Sequence, residues 1–181
     1  MTIKAIETVY NGYRFRSRLE ARWAVFFDAL GIKYDYEPEG FDLGELGWYL
    51  PDFYLSGLKY YVEIKPGPLN DEEQAKLNAL NDRAPEGTYG AVAFSGTPDY
   101  PHWQWGEADG ERRLIGWENS TGLLAMMLVT EGIVNHPHMD TLRRLAEWFE
   151  SWPFDRPIWA ARQARFEHGE QSVTAAMLEA V

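Results

Sequence analysis

The stretch Trp48-Tyr-Leu-Pro51-Asp52-Phe-Tyr-Leu-Ser56-Gly57-Leu-Lys-Tyr-Tyr61-Val-Glu63-Ile64-Lys65-Pro66 decides how this chain is read. It predicts two short strands joined by a turn at Ser56-Gly57. Alternation along the second strand puts Tyr61, Glu63 and Lys65 on a charged face, with Val62 and Ile64 on an apolar one. A two-residue loop sets Asp52 opposite Tyr61 and diagonal to Glu63; a four-residue loop, Ser56 to Lys59, sets Asp52 directly opposite Glu63. Either register gathers two carboxylates and an ammonium on one patch. A slip of one residue sends Asp52 to the other face.

Upstream, Ser17-Arg-Leu-Glu20 has the spacing of a capping box, a serine N-cap with a glutamate three positions on. Leu19, Trp23, Phe26, Phe27 and Leu30 follow at helical spacing, and Gly31 stands where a left-handed terminator belongs. Asn11-Gly12 predicts a tight hairpin within Ile6 to Phe15. The alternation of Ile32 to Glu37 predicts a strand, followed by a Gly- and acid-rich loop to Gly47.

Downstream, Asp71 to Asn81 reads as a helix with a polar outer face and Tyr89 to Ser95 as a strand. Helix, three strands, helix and strand describe an α/β fold, a mixed central sheet flanked by helices. Asp109-Gly110 predicts a second hairpin carrying Trp103, Trp105 and Trp117. Helical patterns at Thr121 to Thr130, Met139 to Ser151 and Asp155 to Phe166, with a helix or frayed tail at Ser172 to Val181, complete the chain. This organisation divides into a core over residues 1–118 and a helical C-terminal extension over 119–181, packed together as one compact unit.

The 181 residues carry a formal net charge of −11, no cysteine, eight Trp, ten Tyr and nine Phe. That aromatic content supplies a sizeable core. Without cysteine there is neither a disulfide nor a thiolate metal site, which fits a reducing cytoplasm. The N-terminal residues lack the apolar segment of a signal peptide, and the longest apolar run, Leu123 to Val129, is too short to span a bilayer, so no membrane partner is expected. The acidic balance opposes non-specific binding to a polyanion, and any nucleic-acid contact must rest on a local patch. Arg14, Arg16, Arg18 and Arg22 against the single acid Glu20 supply one, a local charge of +3 between Asn11 and Trp23 that suits phosphate contacts. Each of these arginines serves equally well as part of a solvated basic face. Tyr13 and Phe15 suit base stacking or packing against the helix entry. His102, His168 and the His136-Pro137-His138 loop lack the helical spacing of a zinc pair.

A helix bearing Glu20, then Pro51-Asp52 on a strand, then Glu63-Ile64-Lys65 on the next resembles the PD-(D/E)XK nuclease superfamily, of restriction-endonuclease-like fold. Within it, Phe15-Arg-Ser-Arg-Leu-Glu-Ala-Arg-Trp-Ala-Val-Phe-Phe is similar to the first helix of endonucleases that cut transposon ends and of small phage and bacterial proteins. The resemblance covers Tyr13 to Pro66. It implies that Asp52 and Glu63, with the backbone carbonyl of Ile64, hold one or two Mg²⁺ ions, for which Mn²⁺ can substitute, and that Lys65 orients or activates the attacking water. In several branches a glutamate on this helix reaches the metal or its water, a role open to Glu20 beside its place in the capping box. The implied activity is hydrolysis of DNA phosphodiesters, in a bacterial host if the protein is encoded by a phage or mobile element. A homodimer would suit double-strand cutting. The competing expectation is a non-catalytic inhibitor or assembly protein that keeps the fold and binds a protein partner through its acidic surface or aromatic C-terminal part.

Overall fold

A computed structural model describes residues 5–100, 103–108, 111–117, 119–130 and 155–166. They fall in two compact units, one holding Met1–Pro98 with Arg156–Val181 and the other Asp99–Asp155.

In the first unit, Asn11-Gly12 closes an antiparallel ribbon of β1 (Thr8–Tyr10) and β2 (Tyr13–Phe15). Both turn residues take positive φ, 47° and 83°, as a type I′ turn requires. Helix α1 (Arg18–Leu30) begins where the Ser17 hydroxyl accepts from the Glu20 N–H. It ends at Gly31, which adopts φ 71° and whose N–H reaches back to the Asp28 carbonyl. Ile32 to Glu37 is less regular than expected: only β3 (Asp35–Tyr36) is strand.

The opening stretch does not form one continuous hairpin. β4 (Phe41–Asp42) and β5 (Trp48–Tyr49) pair with each other as a separate small ribbon, and the strand resumes only at β6 (Phe53–Leu55). The interruption falls at Pro51, which cannot donate to a ladder. β6 pairs antiparallel with β7 (Tyr60–Lys65) in the register Phe53↔Val62, Tyr54↔Tyr61, Leu55↔Tyr60. This is the four-residue-loop register, which extrapolates to Asp52 opposite Glu63. Its physical cause is Leu58, which turns inward from the loop and is fully buried, while Lys59 takes up the left-handed conformation at φ 57°. A two-residue loop would spend Leu58 in the ladder.

β7 continues through α2 (Asp71–Asp82) to the parallel strand β8 (Gly90–Ser95), giving a mixed sheet in the order β3-β6-β7-β8. The fold class is therefore α/β with a mixed sheet. On one face Phe53, Leu55, Val62, Ile64 and Phe94 are buried together with Trp23, Phe26 and Phe27 of α1. The Trp23 and Phe94 rings lie 4.9 Å apart, those of Phe27 and Phe53 5.4 Å apart. On the other face Tyr61 and Ala91 join Leu43, Leu77 and Leu80 in a second core. The face expected to be simply charged is thus covered, and its carboxylates are buried.

In the second unit, β9 (Trp103–Ala108) and β10 (Glu111–Trp117) form the expected antiparallel ribbon, followed by α3 (Ser120–Thr130). The tryptophan side chains of that ribbon, the histidines, the helix expected at 139–151 and the tail expected at 172–181 lie outside the described residues. Helix α4 (Asp155–Gln163), which from Arg156 onward belongs to the first unit, is shorter than its expected extent to Phe166. No helix among the described residues is long and apolar enough to cross a membrane.

Asn81 fastens α2 to the outer edge of β8. Its amide donates to the Ala91 carbonyl at 3.0 Å and its carbonyl accepts from the Ala91 N–H at 2.7 Å. Replacing Asn81 by Ala strands both groups of a residue that is only 5% exposed. The expected loss is about 1–3 kcal/mol in urea unfolding; an unchanged midpoint would show the clamp to be dispensable.

Candidate functional site

The β6–β7 register and the bend at Pro51 bring Asp52 next to Glu63. Asp52 is 3% exposed and Glu63 8%. The Ile64 N–H donates to Asp52 Oδ2 at 2.7 Å, and Arg16 Nη2 donates to Oδ1 at 2.8 Å. Glu63 Oε1 faces the Lys65 ammonium at 2.8 Å, while Glu63 Oε2 is buried with no hydrogen-bond partner. Two buried carboxylates therefore meet with three oxygens supplied with donors and one without.

Lys65 is held from a second side by Glu73 Oε1, 2.9 Å away on the first turn of α2. Glu73 also completes a capping box, accepting from the Asn70 N–H at 2.9 Å while Asn70 caps the Glu73 N–H. Burial alone would lower the Lys65 pKa, but the bonds to Glu63 and Glu73 outweigh it and hold the ammonium above its ordinary value. The Asn70 N–H, followed by Lys65, holds Glu73 below the usual carboxylate range. Tyr49 completes this side: burial, then the charge of Glu63, pushes its phenol up and keeps it protonated.

Glu20 is buried at the head of α1, and both of its oxygens have donors. Oε1 accepts from the Ser17 hydroxyl at 2.6 Å, and Oε2 from the Tyr36 hydroxyl at 2.6 Å and the Arg16 N–H at 3.0 Å. The reciprocal arm of the expected capping box thus reaches the N–H one residue earlier than the N-cap. Through space its charge still acts on Asp52.

The four arginines have different surroundings. Arg14 is exposed and pairs with Glu7. Arg16 is committed to Asp52 and Glu37. Arg18 is half-buried in the first turn of α1, and Arg22, half-buried further along, has a buried Nε without a partner. The arginine cluster is therefore partly drawn into the carboxylates rather than displayed as one basic face. Glu37, Tyr49 and Glu73 were assigned no role from sequence; only Glu73 had a visible signal, the Asn70-x-x-Glu spacing.

Divalent cations such as Mg²⁺ bind hard oxygen ligands. The donor set fits one, because Glu63 Oε2 is a buried acceptor without a donor beside a second buried carboxylate. The described residues contain no group of three or more acidic or histidine side chains arranged to hold an ion, so a backbone carbonyl such as that of Ile64 would have to contribute. A cavity of about 490 Å³ beside Asp28, Tyr13 and Tyr34 includes none of these groups. No family model, curated protein or solved structure matches the chain.

Burial first, then the charges of Glu63 and Glu20, push the Asp52 pKa up from 3.8 to about 8, against the opposing pull of the Ile64 N–H and Arg16. Between those values the folded protein keeps a proton that the unfolded chain has released. Stability from this group is full below 3.8 and is lost as pH rises through about 8. Asp52→Asn removes that slope. In EDTA its melting temperature is expected to gain on the parent protein steadily as pH rises across this window, and parallel pH profiles for the two proteins would contradict the assignment.

Proposed function

We propose that this protein is a Mg²⁺-dependent nuclease of the PD-(D/E)XK superfamily, with a restriction-endonuclease-like core, that hydrolyses DNA phosphodiesters. The observation that carries the reading is the buried Asp52–Glu63 pair with one carboxylate oxygen lacking a donor and an ammonium at its edge. Asp52, Glu63 and the Ile64 carbonyl are the residues that would hold the ion. When bound, such an ion polarises a phosphate and lowers the pKa of its water.

The chain's own groups supply the rest. Lys65, kept charged between Glu63 and Glu73, orients water and offsets negative charge on the phosphate; with its proton retained it is not a general base. Glu73 and Tyr49 fix the orientation of that ammonium and of Glu63. Glu20 anchors the entry of α1 and holds the Arg16 backbone in place. Of the four arginines in the local basic stretch, Arg14 and Arg18 offer contacts to a phosphate backbone despite the net charge of −11, while Arg16 is engaged by Asp52 and Glu37 and Arg22 is half-buried.

That net charge favours a second reading, a protein-binding module that retains the fold without cleavage. The two separate in one assay. Single-stranded, double-stranded and branched DNA, and RNA, are incubated with the protein in Mg²⁺ or Mn²⁺ beside Asp52→Ala and Glu63→Gln. The nuclease reading expects cleavage that either variant lowers at least about 100-fold and EDTA abolishes. Cleavage surviving in the variants indicates a contaminant, and no cleavage of any substrate transfers the site to the protein-binding reading.

Glu73→Gln removes one of the two acids on Lys65 without removing Lys65. Cleavage is expected to fall about tenfold, less than in Lys65→Ala. Equal rates in Glu73→Gln and the parent protein would release Glu73 from any part in positioning the ammonium.

A further inference from the structure

Arg16 stands between the solvent and the oxygen a cation needs. Its side chain is 54% exposed, whereas the Asp52 side chain beneath it is 4% exposed. The guanidinium spans two acids: Nη2 lies 2.8 Å from Asp52 Oδ1, and Nε pairs with Glu37. Its root is fixed, because the Arg16 N–H donates to Glu20 Oε2 and to the Tyr36 hydroxyl, each at 3.0 Å. A long side chain anchored at its base and half-exposed at its head can leave Asp52 without moving the backbone.

The four carboxylate oxygens of the site differ in how easily their donors can be displaced. The Ile64 N–H belongs to the β7 backbone, and Lys65 is held by two acids at once. Glu63 Oε2 has no donor, yet a divalent ion requires several oxygens. The second carboxylate oxygen it can recruit at least cost is Asp52 Oδ1, the one Arg16 covers. Glu37 remains as a resting place for the displaced guanidinium.

We propose that Arg16 is a built-in counter-cation of this site, exchanged for a divalent metal ion at Asp52 Oδ1 and retained on Glu37 when the ion enters. The inference rests on the metal-site reading above and adds a competition between the protein's own guanidinium and the ion. In the metal-free protein Arg16 offsets the buried carboxylates; on loading it is released at the mouth of the site, where its donors can meet a phosphate.

The test is binding of Mn²⁺ alone, by calorimetry or by the electron paramagnetic resonance signal of the unbound ion, with circular dichroism as a folding control. Arg16→Gln is expected to bind Mn²⁺ about tenfold more tightly than the parent protein, because a charge-assisted bond no longer has to be broken. Glu37→Gln is expected to bind it more weakly, because Arg16 then has only Asp52 to pair with. Opposite signs from the two partners of one ion pair are not what general loosening would produce. A Mg²⁺ titration of the parent protein needs no variant: the Arg16 Nε–H resonance is expected to shift with the same saturation as ion binding. Folded Arg16→Gln with unchanged or weaker Mn²⁺ affinity, or an Arg16 resonance that ignores saturating Mg²⁺, overturns the exchange. Cleavage of DNA by a protein that fails these tests removes the exchange and keeps the nuclease. Ion binding with the expected changes but no cleavage does the reverse, and absence of Mn²⁺ binding in every variant removes both.

Discussion

A single hydrogen bond, from the Ile64 N–H to Asp52 Oδ2 at 2.7 Å, ties the register of the sheet to the chemistry of the site. Asp52 lies outside the ladder, just after Pro51 and just before β6, so pairing alone does not hold it. The bond carries it across to β7, one residue from Glu63, and leaves its other oxygen directed to Arg16. Everything that fixes this register therefore fixes the site: Leu58 buried in the loop, Phe53 and Val62 packed beneath α1, and Tyr61 packed beneath α2. The chemistry proposed for the carboxylates depends on apolar packing several residues away.

How much of this could be read in advance follows from the range of each interaction. The two ends of α1 were legible because Ser17, Glu20 and Gly31 act within one turn of the backbone they cap. The Asn11-Gly12 ribbon was legible for the same reason, since both residues must adopt positive φ locally. The central pairing was legible only to a choice of two registers, because burial of Leu58 is decided by tertiary packing rather than by the turn. That Tyr61 would lie in a core was hidden by its neighbours: its strand alternates with Glu63 and Lys65, and the residues covering it, Leu43, Leu77 and Leu80, come from other elements. Arg16 shows the same limit. Its positive charge was evident, but its pairing with Asp52 spans 36 positions and turns an apparent phosphate contact into an internal counter-ion.

The arrangement also carries an electrostatic strain that the fold has to relieve. Among the described residues, Glu20, Glu37, Asp52, Glu63 and Glu73 share the neighbourhood with Arg16, Lys65 and, beside Glu73, Lys76, five acids against three bases in formal charge. Such a group can be eased by taking up a proton or a cation, and burial with the charges of Glu63 and Glu20 makes Asp52 the acid on which that pressure falls. A proton and a metal ion would compete for the same carboxylate, so the feature that costs stability at high pH is the one that draws a cation. An apolar or amide residue at position 52 would ease the fold and remove the attraction together. Retaining an acid there makes physical sense if its discomfort is relieved by something that binds. Lys65 cannot play that part, because two acids already hold its proton in place, and Arg16 can play it only until a smaller and more highly charged ion arrives.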